Sequence, residues 1–263
     1  MAPKAPKLTY ANVTFPDSGP DTGPDAAQDR AQDRAQDRAQ VRALGHENNS
    51  TGPRSTRFGD IYFSGDGIAE TEHVFLQGTN LPERFAHRSS FTIGELGFGA
   101  GLNFLCAWAL WDRCKRKGAR LHFFSVEAFP LATDDMAKAH HAWPTLTTKA
   151  SRLRDCLAPL YEGFHSIEIA PDVTLTLFYG DVAAGLAQTG FKANAWFLDG
   201  FSPAKNPAMW HRDIMQRVAD LSAPDVRIAT FTVAGAIRRG LTDAGFTVEK
   251  TPGFGKKLSL IHI

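Results

Sequence analysis

The stretch that most limits what this chain can fold into is "FTIGELGFGAGLNF", residues 91–104. A short apolar run leads straight into glycines at 97, 99 and 101, and a helix-like run begins at once behind them. Glycine reaches positive φ without steric cost and carries no Cβ, so the chain can turn sharply there and leave its amides bare. Strand, glycine turn and helix together make the repeating unit of a parallel α/β sheet. The glycines admit two readings at this stage: a tight turn, or a small molecule lying directly on the backbone.

The following sequence repeats the alternation. "LHFFSVEAFP", "VTLTLFYGD", "NAWFLDGFSP" and "RIATFTV" read as four further strands. "GLNFLCAWALWDRCKRKG", "LATDDMAKAHHAW" and "AGAIRRGLTDAG" read as helices, the second stopped at Pro144. The C-terminal "FTVEKTPGFGKKLSLIHI" reads as two strands around a glycine turn. Right-handed crossovers then give a doubly wound, mostly parallel sheet with a C-terminal antiparallel hairpin strand. Upstream, "RFGDIYFS" and "AETEHVFLQG" read as a short strand or hairpin preceding that domain.

Residues 27–38 are three copies of AQDR inside Pro-, Gly- and Asp-rich flanks. Like charges fall four apart and no large apolar face forms, so about 17–54 is expected to be a solvated insertion. The organisation expected is an N-terminal segment over 1–57 and a catalytic domain over 58–263. No apolar run approaches the roughly 18 residues that span a bilayer, and the N-terminus lacks the apolar core of a secretory signal. The three cysteines, Cys106, Cys114 and Cys156, show no metal or disulfide spacing and fit a reduced, cytoplasmic protein. The nine histidines show no ligand spacing, so no metal is expected, and His140-His141 reads as an exposed helix end. With a net charge of only +1, contact with nucleic acid requires locally concentrated positive charge. Arg238, Arg239, Lys250, Lys256 and Lys257 are the candidates, against the plainer reading of a solvated face.

In doubly wound sheets, ligands sit beyond the carboxyl ends of the strands where the strand order reverses. A dinucleotide fingerprint GxGxxG begun at Gly97 or Gly99 needs a glycine at 102 or 104, which are Leu102 and Phe104. That reading fails on spacing. Carboxylates stand at three more strand ends. Glu127 closes "SVE" and can accept both hydroxyls of a ribose, Asp181 follows Gly180 and can accept from an adenine amino group, and Asp199 closes "AWFLD". A surface carboxylate at 127 and a turn aspartate at 181 remain the structural alternatives.

"GELGFGAGLNF", "FFSVEAFPL", "AWFLDGFSPAKNPAMW", "ATFTVAGAIRRGLTDAGF" and "GFGKK", with "DIYFS" and "VFLQGTNLPERF" upstream, resemble the MnmC methyltransferase-domain family, which also occurs alone as MnmD. The resemblance spans about residues 58–263, with "LDGFSPAKNP" its most specific part. It implies a class I, S-adenosylmethionine-dependent fold in which Glu95, Gly97, Phe98, Gly99, Gly101 and Asn103, with Glu127, Asp181 and Asp199, hold the cofactor. It further implies methylation of the primary amine of 5-aminomethyl-(2-thio)uridine at the wobble position of tRNA. Asp199 would be catalytic there, and Phe201, Lys205, Asn206 and Trp210 would contact the uridine. The MnmC enzymes add an FAD-dependent oxidase domain; the sequence in hand ends at Ile263, and neither that domain nor FAD is expected. Two other readings stand beside this one: a methyltransferase of another amine, and a cofactor- or RNA-binding module without activity.

Overall fold

The computed structural model describes residues 8–16, 52–63, 66–157 and 161–254, and the backbone of 258–262. Most of the expected insertion, up to residue 51, lies outside the described residues, as do Lys256 and Lys257.

Two short strands, β1 (Val13–Thr14) and β2 (Arg54–Ser55), pair antiparallel, with Thr14 opposite Arg54. Helix α1 (Gly67–Thr71), a π-helical turn (Glu72–Gln77) and α2 (Leu81–His87) follow. Then come β3 (Ser90–Leu96), α3 (Leu102–Cys114), β4 (Arg120–Glu127), α4 (Thr133–His140) and α5 (Thr147–Cys156). The chain continues through β5 (Gly163–Ala170), β6 (Val173–Tyr179), α6 (Val182–Ala187), β7 (Ala193–Leu198) and α7 (Arg212–Asp220). It closes with β8 (Ser222–Thr230), α8 (Gly235–Asp243), β9 (Val248–Pro252) and β10 (Leu258–His262).

Eight of these strands form one sheet in the order β5-β6-β4-β3-β7-β8-β10-β9. The inner pairs, from β6 through β8, are parallel, and β5, β10 and β9 are antiparallel additions at the two edges. The doubly wound sheet and its C-terminal hairpin are as the sequence implies. The inner strands are apolar almost throughout because helices cover both of their faces. Phe91, Ile93, Phe123, Leu175 and Phe197 belong to the core on one face, and Phe124, Trp196, Leu198 and Met215 to that on the other.

Three elements differ from the sequence reading. "AETEHVFLQG" is helical rather than a strand: an apolar triplet reads alike in a strand and a buried helix, and here the wide turn buries Val74, Phe75 and Leu76 together. Helix α5 and edge strand β5 had no counterpart in that reading. β5 alternates half-buried and exposed residues, the weak pattern of a solvated edge. The N-terminal stretch packs on the domain. Ala11 is in the core beside Leu8, Val13 and Phe15, and its amide donates to the Pro130 carbonyl (3.0 Å).

Candidate active site

The strand order reverses between β3 and β7, and their carboxyl ends open onto a cavity of about 340 Å³. The glycines behind β3 are explained by close approach. Gly97 has φ +95°, and a Cβ there would stand 2.2 Å from the Asp199 carbonyl oxygen, so no other residue fits. Gly101 (φ +78°) precedes α3, with the Phe98 ring 2.9 Å and Leu153 3.0 Å from the position of a Cβ. Gly99 (φ +53°) meets only the Tyr62 ring, at 3.4 Å. It is the least crowded of the three, with only that ring in van der Waals contact.

Glu127, at the end of β4, ties this loop to the next strand. Its carboxylate accepts from the Gly99 amide (2.9 Å) and the Phe129 amide (2.8 Å). Burial pushes its pKa up in spite of those donors.

The floor of the cavity is a buried polar chain centred on Asn103, in the first turn of α3. Its amide nitrogen donates to Glu95 Oε1 (3.0 Å) and Asp199 Oδ2 (2.6 Å), and its oxygen accepts from the Thr71 hydroxyl (2.9 Å). Glu95 is 1% exposed and accepts a second bond from Ser125 Oγ (2.7 Å). Burial drives the Glu95 pKa well above the carboxylate range. Burial, with the Glu70 charge nearby, raises that of Asp199 to about 7, against the opposing Asn103 bond.

The opposite wall is aromatic and is assembled from two distant parts of the chain. Phe201, behind β7, packs on Phe58 (4.7 Å between centroids) and edge-on to Tyr62 (5.2 Å). The Arg57 guanidinium lies 4.1 Å from the centroid of Phe129. Asp60 locks the two parts together, accepting from the Ser202 amide (3.0 Å) and from Lys205 (3.2 Å). Burial alone would raise its pKa, but the Ser202 amide and Lys205 hold it below the usual range.

Of the residues singled out in the sequence, Gly97, Phe98, Gly99, Asn103, Glu127 and Asp199 line the cavity, as do Phe201, Lys205 and Asn206. Four do not. Glu95 is beneath the floor, behind Asn103. Gly101 sets the start of α3. Asp181 is turned to α6, where its carboxylate caps the amides of Ala183 (2.9 Å) and Ala184 (3.2 Å). Trp210 is buried and donates its indole N–H to the Phe201 carbonyl (2.9 Å), bracing the loop from behind. His140 is also not the exposed helix end expected, being only 4% exposed. Sequence reasoning missed Phe58, Asp60, Tyr62 and Glu70 as site residues, since no spacing ties them to the strand ends. Among the described residues no group of three or more His, Cys, Asp or Glu side chains could hold a metal ion.

Residues 145–262 match a family described as S-adenosyl-L-methionine-dependent methyltransferase. The chain is 51% identical over 207 residues to the tRNA 5-methylaminomethyl-2-thiouridine biosynthesis bifunctional protein MnmC of Caulobacter vibrioides, covering 78% of this chain and 35% of that protein. Against the MnmC of Chromohalobacter salexigens it is 47% identical over 216 residues, covering 81% and 31%. The chain belongs to the MnmC methyltransferase-domain family. It spans about a third of the length of these curated relatives. The crystal structure of MNMC2 from Aquifex aeolicus shares the fold, with a TM-score of 0.62 at 22% identity over 81% of this chain and 66% of that one.

Proposed function

We propose that this MnmC-family chain transfers a methyl group from S-adenosylmethionine to the primary amine of 5-aminomethyl-(2-thio)uridine at the wobble position of tRNA, giving 5-methylaminomethyl-(2-thio)uridine. The observation that carries the proposal is Asp199, held by Asn103 where the glycine loop meets an aromatic-walled cavity. The relatives' names supply the nucleoside.

The cavity fits the cofactor on its own features: Gly99 offers a bare backbone, and Glu127 beside it is a carboxylate able to accept two hydroxyls. Bound S-adenosylmethionine supplies an electrophilic methyl group whose carbon–sulfur bond breaks, leaving the electron pair on sulfur, as the new carbon–nitrogen bond forms. The chain's own task is to present a neutral amine in line, where proximity and orientation contribute up to roughly 7–11 kcal/mol. Asp199 orients the amine through a hydrogen bond. With its pKa near 7 in the ligand-free site it is also a better proton acceptor than an ordinary carboxylate, although a neighbouring ammonium lowers that value. Phe201 provides a face for the extruded uracil, and Lys205 and Asn206 provide donors at the cavity edge. Arg238, Arg239 and Lys250 would contact tRNA phosphates outside the cavity. Among the described residues no helix is long and apolar enough to cross a membrane, and a tRNA substrate puts the enzyme's work in the cytoplasm.

Single-turnover methylation tests the reading. Transfer is expected to tRNA bearing the aminomethyl group and not to the carboxymethylaminomethyl form, whose extra carboxylate would meet Asp199. Two such charges about 4 Å apart repel by about 4 kcal/mol at an effective dielectric near 20. Asp199→Asn should lower the rate more than about tenfold with little change in cofactor affinity. Because the Asp199 pKa is raised to about 7, its anion accumulates as pH rises through that value. The part of the wild-type rate increase near pH 7 that comes from this group should vanish in Asp199→Asn. Equal transfer to both tRNA forms would sink the assignment.

A further inference from the structure

The glycine loop has a second external anchor, on the side away from Glu127. His140 ends α4 with its ring almost wholly buried. Its Nε2 lies 2.9 Å from the carbonyl oxygen of Ala100, and its Nδ1 lies 2.6 Å from Arg154 Nη1, on α5. A carbonyl can only accept and a guanidinium can only donate. The partners therefore admit one form of the ring: neutral, with the proton on Nε2.

Ala100 lies between two residues in left-handed conformation, Gly99 (φ +53°) and Gly101 (φ +78°). Glycines give the loop freedom at that point, and the freedom has to be removed if the loop is to bind anything tightly. Glu127 removes part of it through the Gly99 amide; His140 holds the neighbouring carbonyl. The same ring packs 5.4 Å from Trp143, which lines the cavity. Filling that space would need only an apolar side chain, whereas the two polar contacts need a ring of this protonation state.

We infer that His140, oriented by Arg154, is a positioning residue that sets the glycine-rich loop for S-adenosylmethionine through the Ala100 carbonyl. The inference rests on the cofactor reading of that loop and is independent of the tRNA substrate. It also carries a pH dependence. Besides Arg154 of α5, the titratable neighbour of His140 is His141, which directly follows α4; the loop offers only a carbonyl, and Trp143 is uncharged. Burial first, then Arg154 and His141, lower the ring's pKa below its ordinary value near 6.5, against the Ala100 bond. The neutral anchor is thus complete above that value and is lost as pH falls through the lowered one, when a proton on Nδ1 faces Arg154.

Calorimetry of S-adenosylmethionine binding across about pH 5–8, the range in which imidazole charge changes, tests this on the intact protein. His140→Leu should weaken binding about tenfold at pH 8, as for a lost buried hydrogen bond, with kcat at saturating cofactor within about threefold. His140→Gln can donate to the Ala100 carbonyl but does not titrate. It should stay within about threefold of wild type at pH 8 and lose the acid-side weakening that wild type shows. An unchanged affinity in His140→Leu, or a Gln variant as weak as Leu, would overturn the inference. Should the Leu variant fail to fold, the pH profiles of wild type and the Gln variant decide, and identical profiles would overturn it. Nitrogen NMR of the ligand-free protein should show the Nε2–H tautomer of His140; the other tautomer contradicts it. Wild-type protein that binds no S-adenosylmethionine overturns the cofactor reading and this inference together.

Discussion

The floor and the aromatic wall of the cavity are built on different principles. The floor is a short chain of polar side chains, Glu95, Asn103, Asp199 and Thr71, each held by a neighbour; Glu95 and Asp199 stand on or directly behind adjoining strand ends, and Asn103 and Thr71 on helices beside them. Its geometry follows from the sheet, so it is rigid where a charge must stand in one place. The wall is Phe58, Tyr62 and Phe201, contributed by segments about 140 residues apart and clasped by Asp60. Ring packing and one exposed ion pair leave the wall more freedom to adjust than the floor. A site for a small charged centre on a large, variably shaped nucleic acid needs both kinds of surface.

The sharpest way to break the floor is Gly97→Ala. The added Cβ meets the Asp199 carbonyl at 2.2 Å in a backbone at φ +95°, so strand ends and loop must part. A loss of about 2–4 kcal/mol of stability from strain and overpacking, with S-adenosylmethionine binding abolished, is expected by denaturation and calorimetry. Wild-type binding in that variant would show that the β3–β7 contact is not what shapes the loop.

Asn103→Leu comes next. It leaves Asp199 without its donor, Glu95 with one of two, and the Thr71 hydroxyl facing an alkyl chain. Each unsatisfied group costs about 1–3 kcal/mol, and the methylation rate should fall more than about tenfold along with stability. A stable, active Leu variant would mean that Asp199 is held by something other than this chain of bonds.

At the wall, Asp60→Ala should act on substrate rather than on cofactor. Loss of the Ser202 amide bond and the half-exposed Lys205 pair amounts to about 1 kcal/mol, or roughly a fivefold rise in tRNA KM. S-adenosylmethionine affinity should not move. If cofactor and tRNA weaken equally, wall and floor are one unit and the contrast drawn here fails.

The smallest effect on cofactor and tRNA binding, no change in either, is expected from replacing residues 17–51 by a short turn. Thr14 and Arg54 already face each other across β1 and β2, so the excision spans a gap that is closed at its base. Shortening the connection between β1 and β2 by that much changes stability by at most about 2 kcal/mol, in the stabilising direction. A fall in melting temperature would show that the excised segment supports the wall.

Much of the cavity's strand-end side was legible in the sequence, whereas Thr71, on α1, was not. Gly97, Asn103, Glu127 and Asp199 all lie at or just behind strands recognisable from apolar runs, and the doubly wound rule brings such ends together. Asp181 shows the limit of that logic: the same strand-end position is occupied, but the side chain turns to the amides of α6. His140 shows it from the other direction. Beside His141 in a polar helix it reads as exposed, and only the packing of α4 and α5 against the glycine loop buries it.

The sequence by itself determined the parallel sheet, the glycine turn behind β3 and the acids at the strand ends, because strand period, glycine φ and crossover handedness are local constraints. Only the tertiary structure decided which acid faces the cavity and which serves as a floor support or a helix cap. It alone showed that Phe58, Asp60 and Tyr62 close the site. The physical reason is that a side chain's direction, its burial and its hydrogen-bond partner are set by elements far away in the chain, and no local pattern encodes them.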